Sequence, residues 1–130
     1  MSKVIFVCGL IGAGKTTWTK KHAKRYTDLD ELPEGSTKAD QIRLTKRLLK
    51  QGDVFYITCY PQPHELKAFD GEEKDFVMID TNKRQAKTNI LIRGRLRDLD
   101  NLDRTFHANR KYWTQLQNSN LPFRKVKVMA

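Results

Sequence analysis

Gly9-Leu10-Ile11-Gly12-Ala13-Gly14-Lys15-Thr16 matches the pattern G-x-x-x-x-G-K-[ST] in full. Each residue type has a physical task. Glycines let the backbone wrap tightly, with N–H groups aimed inward and no Cβ in the way. A helix opening near Gly14 adds the positive end of its dipole. Lys15 supplies a mobile cation for β- and γ-phosphates, and Thr16 supplies a hydroxyl for Mg²⁺, which accepts few protein ligands. Thr17, next on the same turn, joins the candidate phosphate contacts. The motif points to a nucleoside triphosphate, ATP or GTP, since no base-reading motif is evident.

A phosphate cradle becomes a phosphoryl-transfer site only with a residue to orient or deprotonate an attacking hydroxyl, and with cations for the transferred group. Asp28 and Asp30 follow a short candidate strand. In a parallel sheet they lie at its carboxyl end, where ligands bind. Asp30 is the candidate proton acceptor and Asp28 a second substrate-facing carboxylate. Arg93, Arg95 and Arg97 flank Gly94 just past a helix. Their planar forks suit phosphate oxygens, so they are candidate lid cations, Arg93 foremost. Arg43, with Lys46 and Arg47, is a candidate contact to a nucleic-acid backbone, and Tyr60 a candidate stacking platform at a strand end. Trp18 reads as core. His22, His64 and His107 have no ligand spacing, although His64 falls near the expected active edge.

The elements that must position these residues alternate. Lys3 to Cys8 is a near-continuous apolar run, as expected of a strand buried on both faces. Gly14 to about Arg25 reads as a helix, and Tyr26 to Leu29 as a short strand. Pro33 and Gly35 mark a loop. Thr37 caps a helix running to Gln51, with Asp40 in its first turn and Ile42, Thr45, Leu48 and Leu49 facing inward. Val54 to Tyr60 and Phe76 to Ile79 are strong strands, separated by a short helix from Pro63 to Phe69. Thr81 or Asn82 caps a helix ending near Gly94. Leu99, Leu102, Phe106, Trp113 and Leu116 are spaced as the buried stripe of a long helix, and Val126 and Val128 alternate with lysines in a last strand. The alternation predicts a single α/β domain over residues 1–130.

These residues together resemble the phage-type 5′-polynucleotide kinase domain, within the small P-loop kinases that include zeta-toxin-like proteins. The likeness is carried by Gly9–Trp18, by Tyr26-Thr27-Asp28-Leu29-Asp30 and by Ile79 to Arg97, where Ile90-Leu91-Ile92-Arg93-Gly94-Arg95 is similar to the family's lid helix. The resemblance implies a P-loop NTPase fold with a five-stranded parallel sheet, order 2-3-1-4-5, and helices on both faces. It also implies Mg²⁺-dependent transfer of the ATP γ-phosphate to a polynucleotide 5′-hydroxyl. By it, Asp30 activates the hydroxyl, and Arg93 holds phosphates and stabilises the transition state. Two positions depart. The family's arginine three residues after the base falls at Pro33, and the strand Val54–Tyr60 ends without an acid for Mg²⁺. Asp80 ends the next strand, beside the lid. A kinase for a nucleotide, nucleoside or other small metabolite is the first alternative. A non-catalytic nucleotide-binding regulator is the second.

Composition bounds these readings. The chain has 130 residues, 25 Lys+Arg against 15 Asp+Glu and a net charge of +10. Such a balance suits a nucleic-acid partner or a lysine-rich surface equally, but Lys83 to Arg97 gathers six cations without one acid. No apolar run approaches the roughly 20 residues of a membrane helix. The amino terminus enters the glycine-rich turn without a leader-like cleavage site. Two cysteines in apolar surroundings make no disulfide framework. A cytoplasmic protein is the expectation.

Overall fold

The computed structural model describes residues 2–94 and 101–128. Five strands form one sheet in the order β2-β3-β1-β4-β5, with every neighbouring pair parallel. They are β1 (Lys3–Cys8), β2 (Tyr26–Asp28), β3 (Val54–Ile57), β4 (Glu73–Ile79) and β5 (Phe123–Val126). The helices are α1 (Lys15–His22), α2 (Lys38–Leu49), α3 (Pro63–Ala68), α4 (Lys83–Arg93) and α5 (Leu102–Gln117), with a 3₁₀ turn at Leu29–Glu31. This is the expected P-loop NTPase α/β fold, in the expected strand order.

Central β1 explains the apolar run. It pairs with β3 along one edge and β4 along the other, and the side chains on both its faces are covered: Val4 to Cys8 are all buried. Phe6 stacks on Phe76 and meets Tyr56 and Phe69 edge-on, with ring centroids 5.3–5.8 Å apart. Such offset and edge contacts add to plain area burial.

Thr37 caps α2 as expected. Its backbone N–H donates to the Asp40 carboxylate at 2.8 Å, and Asp40 N–H returns to the Thr37 hydroxyl, a reciprocal capping box. The backbone bond to Thr37 is the main reason that the Asp40 carboxyl lies below the usual carboxylate range. Asn82, rather than Thr81, caps α4 through Gln85 N–H.

Several boundaries and one buried face differ from expectation. α1 stops at His22, because Ala23 is already extended. β3 ends at Ile57, so Thr58, Cys59 and Tyr60 belong to the loop that follows. β5 begins at Phe123 and ends at Val126, so it takes in Lys125 and Val126 of the expected strand but not Val128. In α5 the buried residues are Thr105, Asn109 and Leu116, whereas Leu102, Phe106 and Trp113 are only half-buried. The rings of Phe106 and Trp113 instead receive the ammoniums of Lys87 and Lys83 from α4, at 4.8 and 4.6 Å. Leu99, Arg95 and Arg97 lie outside the described residues.

Candidate active site

The phosphate loop leaves β1 at the centre of the sheet's carboxyl edge. Gly9 N–H donates to Cys59 O, and Ala13 N–H closes a turn onto Leu10 O, both at 3.0 Å. Two glycines are required by conformation and space. Gly12 has φ +85°, and a Cβ there would lie 2.6 Å from the Ala86 carbonyl oxygen. Gly14 has φ +94°, and its Cβ would lie 2.8 Å from Val128 Cγ2.

The loop is held from outside by three side chains. Asn109 Oδ1 accepts from Ile11 N–H at 2.7 Å while its Nδ2 donates to Ile11 O at 2.9 Å. Asn89 Nδ2 donates to Gly12 O at 2.8 Å, and the Thr81 hydroxyl donates to Ala13 O at 3.3 Å. The first turn of α1 brings backbone N–H groups that have no partner within the helix. Lys15 Nζ donates to Gly9 O and Leu10 O at 3.0 and 2.9 Å and lies 3.5 Å from Cys59 Sγ.

The acid that ends the second strand meets this loop, and the next acid in sequence shares its cavity. Asp28, the last residue of β2, is buried and accepts from the Thr16 hydroxyl at 2.6 Å. Its other oxygen accepts from Asp30 N–H at 3.0 Å, which caps the 3₁₀ turn that carries Asp30. Asp30 is exposed and lines the same cavity as the phosphate loop. The acid that the sequence lacks at the end of β3 therefore has a counterpart on the neighbouring strand. The hydroxyl–carboxylate pair of Thr16 and Asp28 is a hard-oxygen donor set of the kind that Mg²⁺ takes. Among the described residues no cluster of three His, Cys, Asp or Glu could hold a metal.

The cavity measures about 1230 Å³ and runs from Gly12–Thr17 past Asp28 and Asp30 to Tyr60, His64 and Tyr112. That exceeds the roughly 300–1,000 Å³ of ordinary ligand pockets. Its far wall is built on a buried polar network, of which Lys38, Gln62 and Glu65 line the cavity. Glu65, 1% exposed, accepts from the Tyr56 hydroxyl at 2.6 Å and from Gln62 N–H at 3.0 Å. Lys38 Nζ lies 3.7 Å from the Glu65 carboxylate and donates to Gln41 Oε1 at 3.0 Å. Gln41 Nε2 in turn donates to Thr27 O and Ile57 O, tying the ends of β2 and β3 together. Burial, reinforced by Glu65, pushes the Tyr56 phenol far above its ordinary range, so it stays a donor. Burial also raises the Tyr112 phenol.

The sequence-derived candidates divide as follows. The loop residues Ile11 to Thr17, together with Asp28, Asp30 and Tyr60, share the cavity. Tyr60 also bonds Ser119 Oγ at 2.9 Å. Trp18 is core, as expected. Arg43 is not in the cavity wall; it is exposed and pairs with Asp40 one turn back. Lys46 and Arg47 are likewise exposed and outside it. Arg93 ends α4.

Asn89, Asn109 and the Lys38–Glu65–Gln41 network were not anticipated. For Asn109 a signal existed: it lies three residues after Phe106 and four before Trp113, so an amide interrupts an inward helix face. Such a group is costly to bury without partners.

No protein-family model matches the chain, and no curated protein matches it. Solved structures do. Deoxyadenosine kinase from M. mycoides with bound dATP superposes with a TM-score of 0.53 at 14% identity, covering 95% of this chain and 90% of its own. A gluconokinase from Sinorhizobium meliloti 1021 gives 0.55 at 16%, covering 98% and 83%. An uncharacterized protein from Eubacterium ventriosum gives 0.55 at 13%, covering 98% and 90%. The chain thus shares the P-loop kinase fold over nearly its whole length.

Proposed function

We propose that this protein is a phosphotransferase that moves the γ-phosphoryl group of ATP, or GTP, to a hydroxyl of a small molecule. The observation that carries the reading is the shared cavity: the phosphate loop, Asp28 and Asp30 line one space large enough for a triphosphate tail and an acceptor. The two neighbours named for an activity, a deoxyadenosine kinase and a gluconokinase, are kinases named for small hydroxyl-bearing compounds.

In this reading the loop N–H groups and the α1 amino end bind the triphosphate, and Lys15 turns from the loop carbonyls to its β/γ oxygens. Magnesium would be held by the Thr16 hydroxyl with Asp28 behind it, and when bound it neutralises charge on the β- and γ-phosphates. Asp30 accepts the proton of the attacking hydroxyl. Arg93, with Arg95, serves the transferred group. Positioning and electrostatics do most of the catalysis, because the transfer itself demands little covalent help.

A small acceptor is favoured over a polynucleotide by the placement of the cations. Lys38, a cation in the cavity wall, lies against Glu65. Lys83 and Lys87 sit on the Trp113 and Phe106 rings, and Arg43 pairs with Asp40. A backbone of phosphates would need such groups free.

The test is transfer from γ-labelled ATP with Mg²⁺ to separate panels of nucleosides, sugars and polyols, nucleoside monophosphates and 5′-hydroxyl oligonucleotides. Label on a nucleoside or polyol is expected. Label on the oligonucleotide alone, suppressed steeply by salt, would restore the polynucleotide reading. Tight nucleotide binding without transfer to any panel would make the protein a nucleotide-responsive regulator.

A further inference from the structure

We infer that Asn109 is a positioning residue for nucleotide binding: from the middle of α5 it sets the curvature with which the phosphate loop receives a triphosphate. The inference rests on the phosphate-loop reading above and adds a residue 98 positions away in sequence.

A side-chain carboxamide carries a donor and an acceptor in one plane, the same complement as a backbone amide. Asn109 uses both on a single residue, accepting from Ile11 N–H and donating to Ile11 O. It does so at 4% exposure, where an unsatisfied amide would be costly. Aspartate offers acceptors only, and leucine offers neither group.

The consequence for the loop follows from peptide planarity. In a trans peptide the carbonyl of one residue and the N–H of the next point in opposite directions, and none of the described peptides is cis. Turning Ile11 O toward Asn109 therefore turns Gly12 N–H away from α5. Thr81 acts alike on the plane two residues on: its bond to Ala13 O turns Gly14 N–H away from Thr81. Asn89 fixes the intervening Gly12 carbonyl. Three successive carbonyls are thus held by side chains from α4, α5 and the residue before the α4 cap. Asn109 alone grips both sides of its residue.

The proposal separates from a purely structural role by comparing Asn109→Leu and Asn109→Ala with Leu116→Ala, which loosens α5 on the same buried face. ADP and ATP affinities are read by calorimetry, folding by thermal unfolding, and the Ile11 amide by hydrogen exchange. In the wild type, nucleotide binds and the Ile11 amide is protected. Both Asn109 variants are expected to lose that protection and to bind nucleotide about tenfold or more weakly, as for a lost buried hydrogen bond. Leu116→Ala is expected to unfold earlier yet bind with near wild-type affinity. If Asn109→Leu does not fold, Asn109→Ala, with room for water, carries the test. Folded Asn109 variants that bind as tightly as wild type overturn the proposal and leave the phosphate-loop reading intact. Equal weakening by Leu116→Ala overturns it in favour of simple helix docking. A wild-type protein that binds no nucleotide overturns the phosphate-loop reading itself.

Discussion

Replacing Gly12 with alanine tests the site's architecture most directly, because Gly35 provides an internal control. Both glycines have nearly the same backbone angle, φ +85° and +87°. Alanine at either position carries the cost of a left-handed conformation, roughly 1–2 kcal/mol. At Gly35 nothing lies within 4 Å of the new Cβ, so the cost ends there. At Gly12 the Cβ would meet the Ala86 carbonyl oxygen at 2.6 Å and Ile90 Cγ1 at 2.9 Å. The first of these is helix backbone and cannot step aside alone. Overpacking of this kind adds about 1–3 kcal/mol, for a total of about 2–5 kcal/mol. For a chain of this size each kcal/mol lowers Tm by roughly 3–6 °C. Gly35→Ala is thus expected to lose about 3–12 °C, and Gly12→Ala about 6–30 °C, with nucleotide binding impaired in Gly12→Ala only. Scanning calorimetry with and without ADP reads both. Equal Tm losses in the two variants would refute the claim that α4 packs against the phosphate loop.

Three further outcomes are expected. Lys15→Ala should abolish transfer, while Asp30→Asn should keep ADP affinity within about threefold yet lose at least 100-fold in turnover, a general base being worth roughly 10²–10⁴; full turnover in Asp30→Asn would refute that role. Alkylation of Cys59, whose sulfur lies 3.5 Å from Lys15 Nζ, should block nucleotide binding and be slowed by ATP, whereas buried Cys8, its thiol pushed up by burial, should resist; peptide mapping reads both sites. Tyr26 donates to Glu31 at 2.7 Å, a bond that with burial pushes the phenol from 10.0 up to about 12. The folded state then holds this proton more tightly than the unfolded chain, so the contribution is complete below pH 10 and is lost as pH rises through about 12. Urea unfolding of Tyr26→Phe between pH 9 and 12 should show a shallower decline than wild type, and an unchanged decline would contradict the assignment.

The fold was legible because its signals are local and redundant. A doubly buried strand shows as the uninterrupted run Lys3–Cys8, and a capping box shows as Thr37 and Asp40 at fixed spacing. The phosphate loop is contiguous for the same reason: its ligand groups are backbone, and glycine marks where the backbone must bend. The acceptor side is different. Glu65, Lys38 and Gln41 meet only after β2, β3, α2 and α3 are assembled, and none is unusual in its own segment. Arg43 shows the opposite error. A cation one turn into a helix after an acidic loop attracts a functional reading, yet Asp40 at i−3 is its partner. The spacing of Leu102, Phe106, Trp113 and Leu116 marks an inward stripe on α5, and of these Leu116 is buried, whereas Phe106 and Trp113 are half-buried. Their faces instead take lysines from α4, and the deeper face belongs to a threonine, an asparagine and a leucine. Asp28 was found, but the hydroxyl it faces depends on how far β2 runs beside β3, which three residues of weak strand signal do not specify.

The bond from Asp30 N–H to Asp28 makes one short stretch of chain answerable to two visitors. In the proposed reading Asp28 answers to whatever engages Thr16, and Asp30, two residues on, to the incoming alcohol. Because a single carboxylate both receives the threonine and anchors the bend, neither end can shift without tugging the other. Loading the nucleotide end should therefore stiffen the place where the second substrate docks, so that the order in which the two arrive becomes a property of the backbone itself.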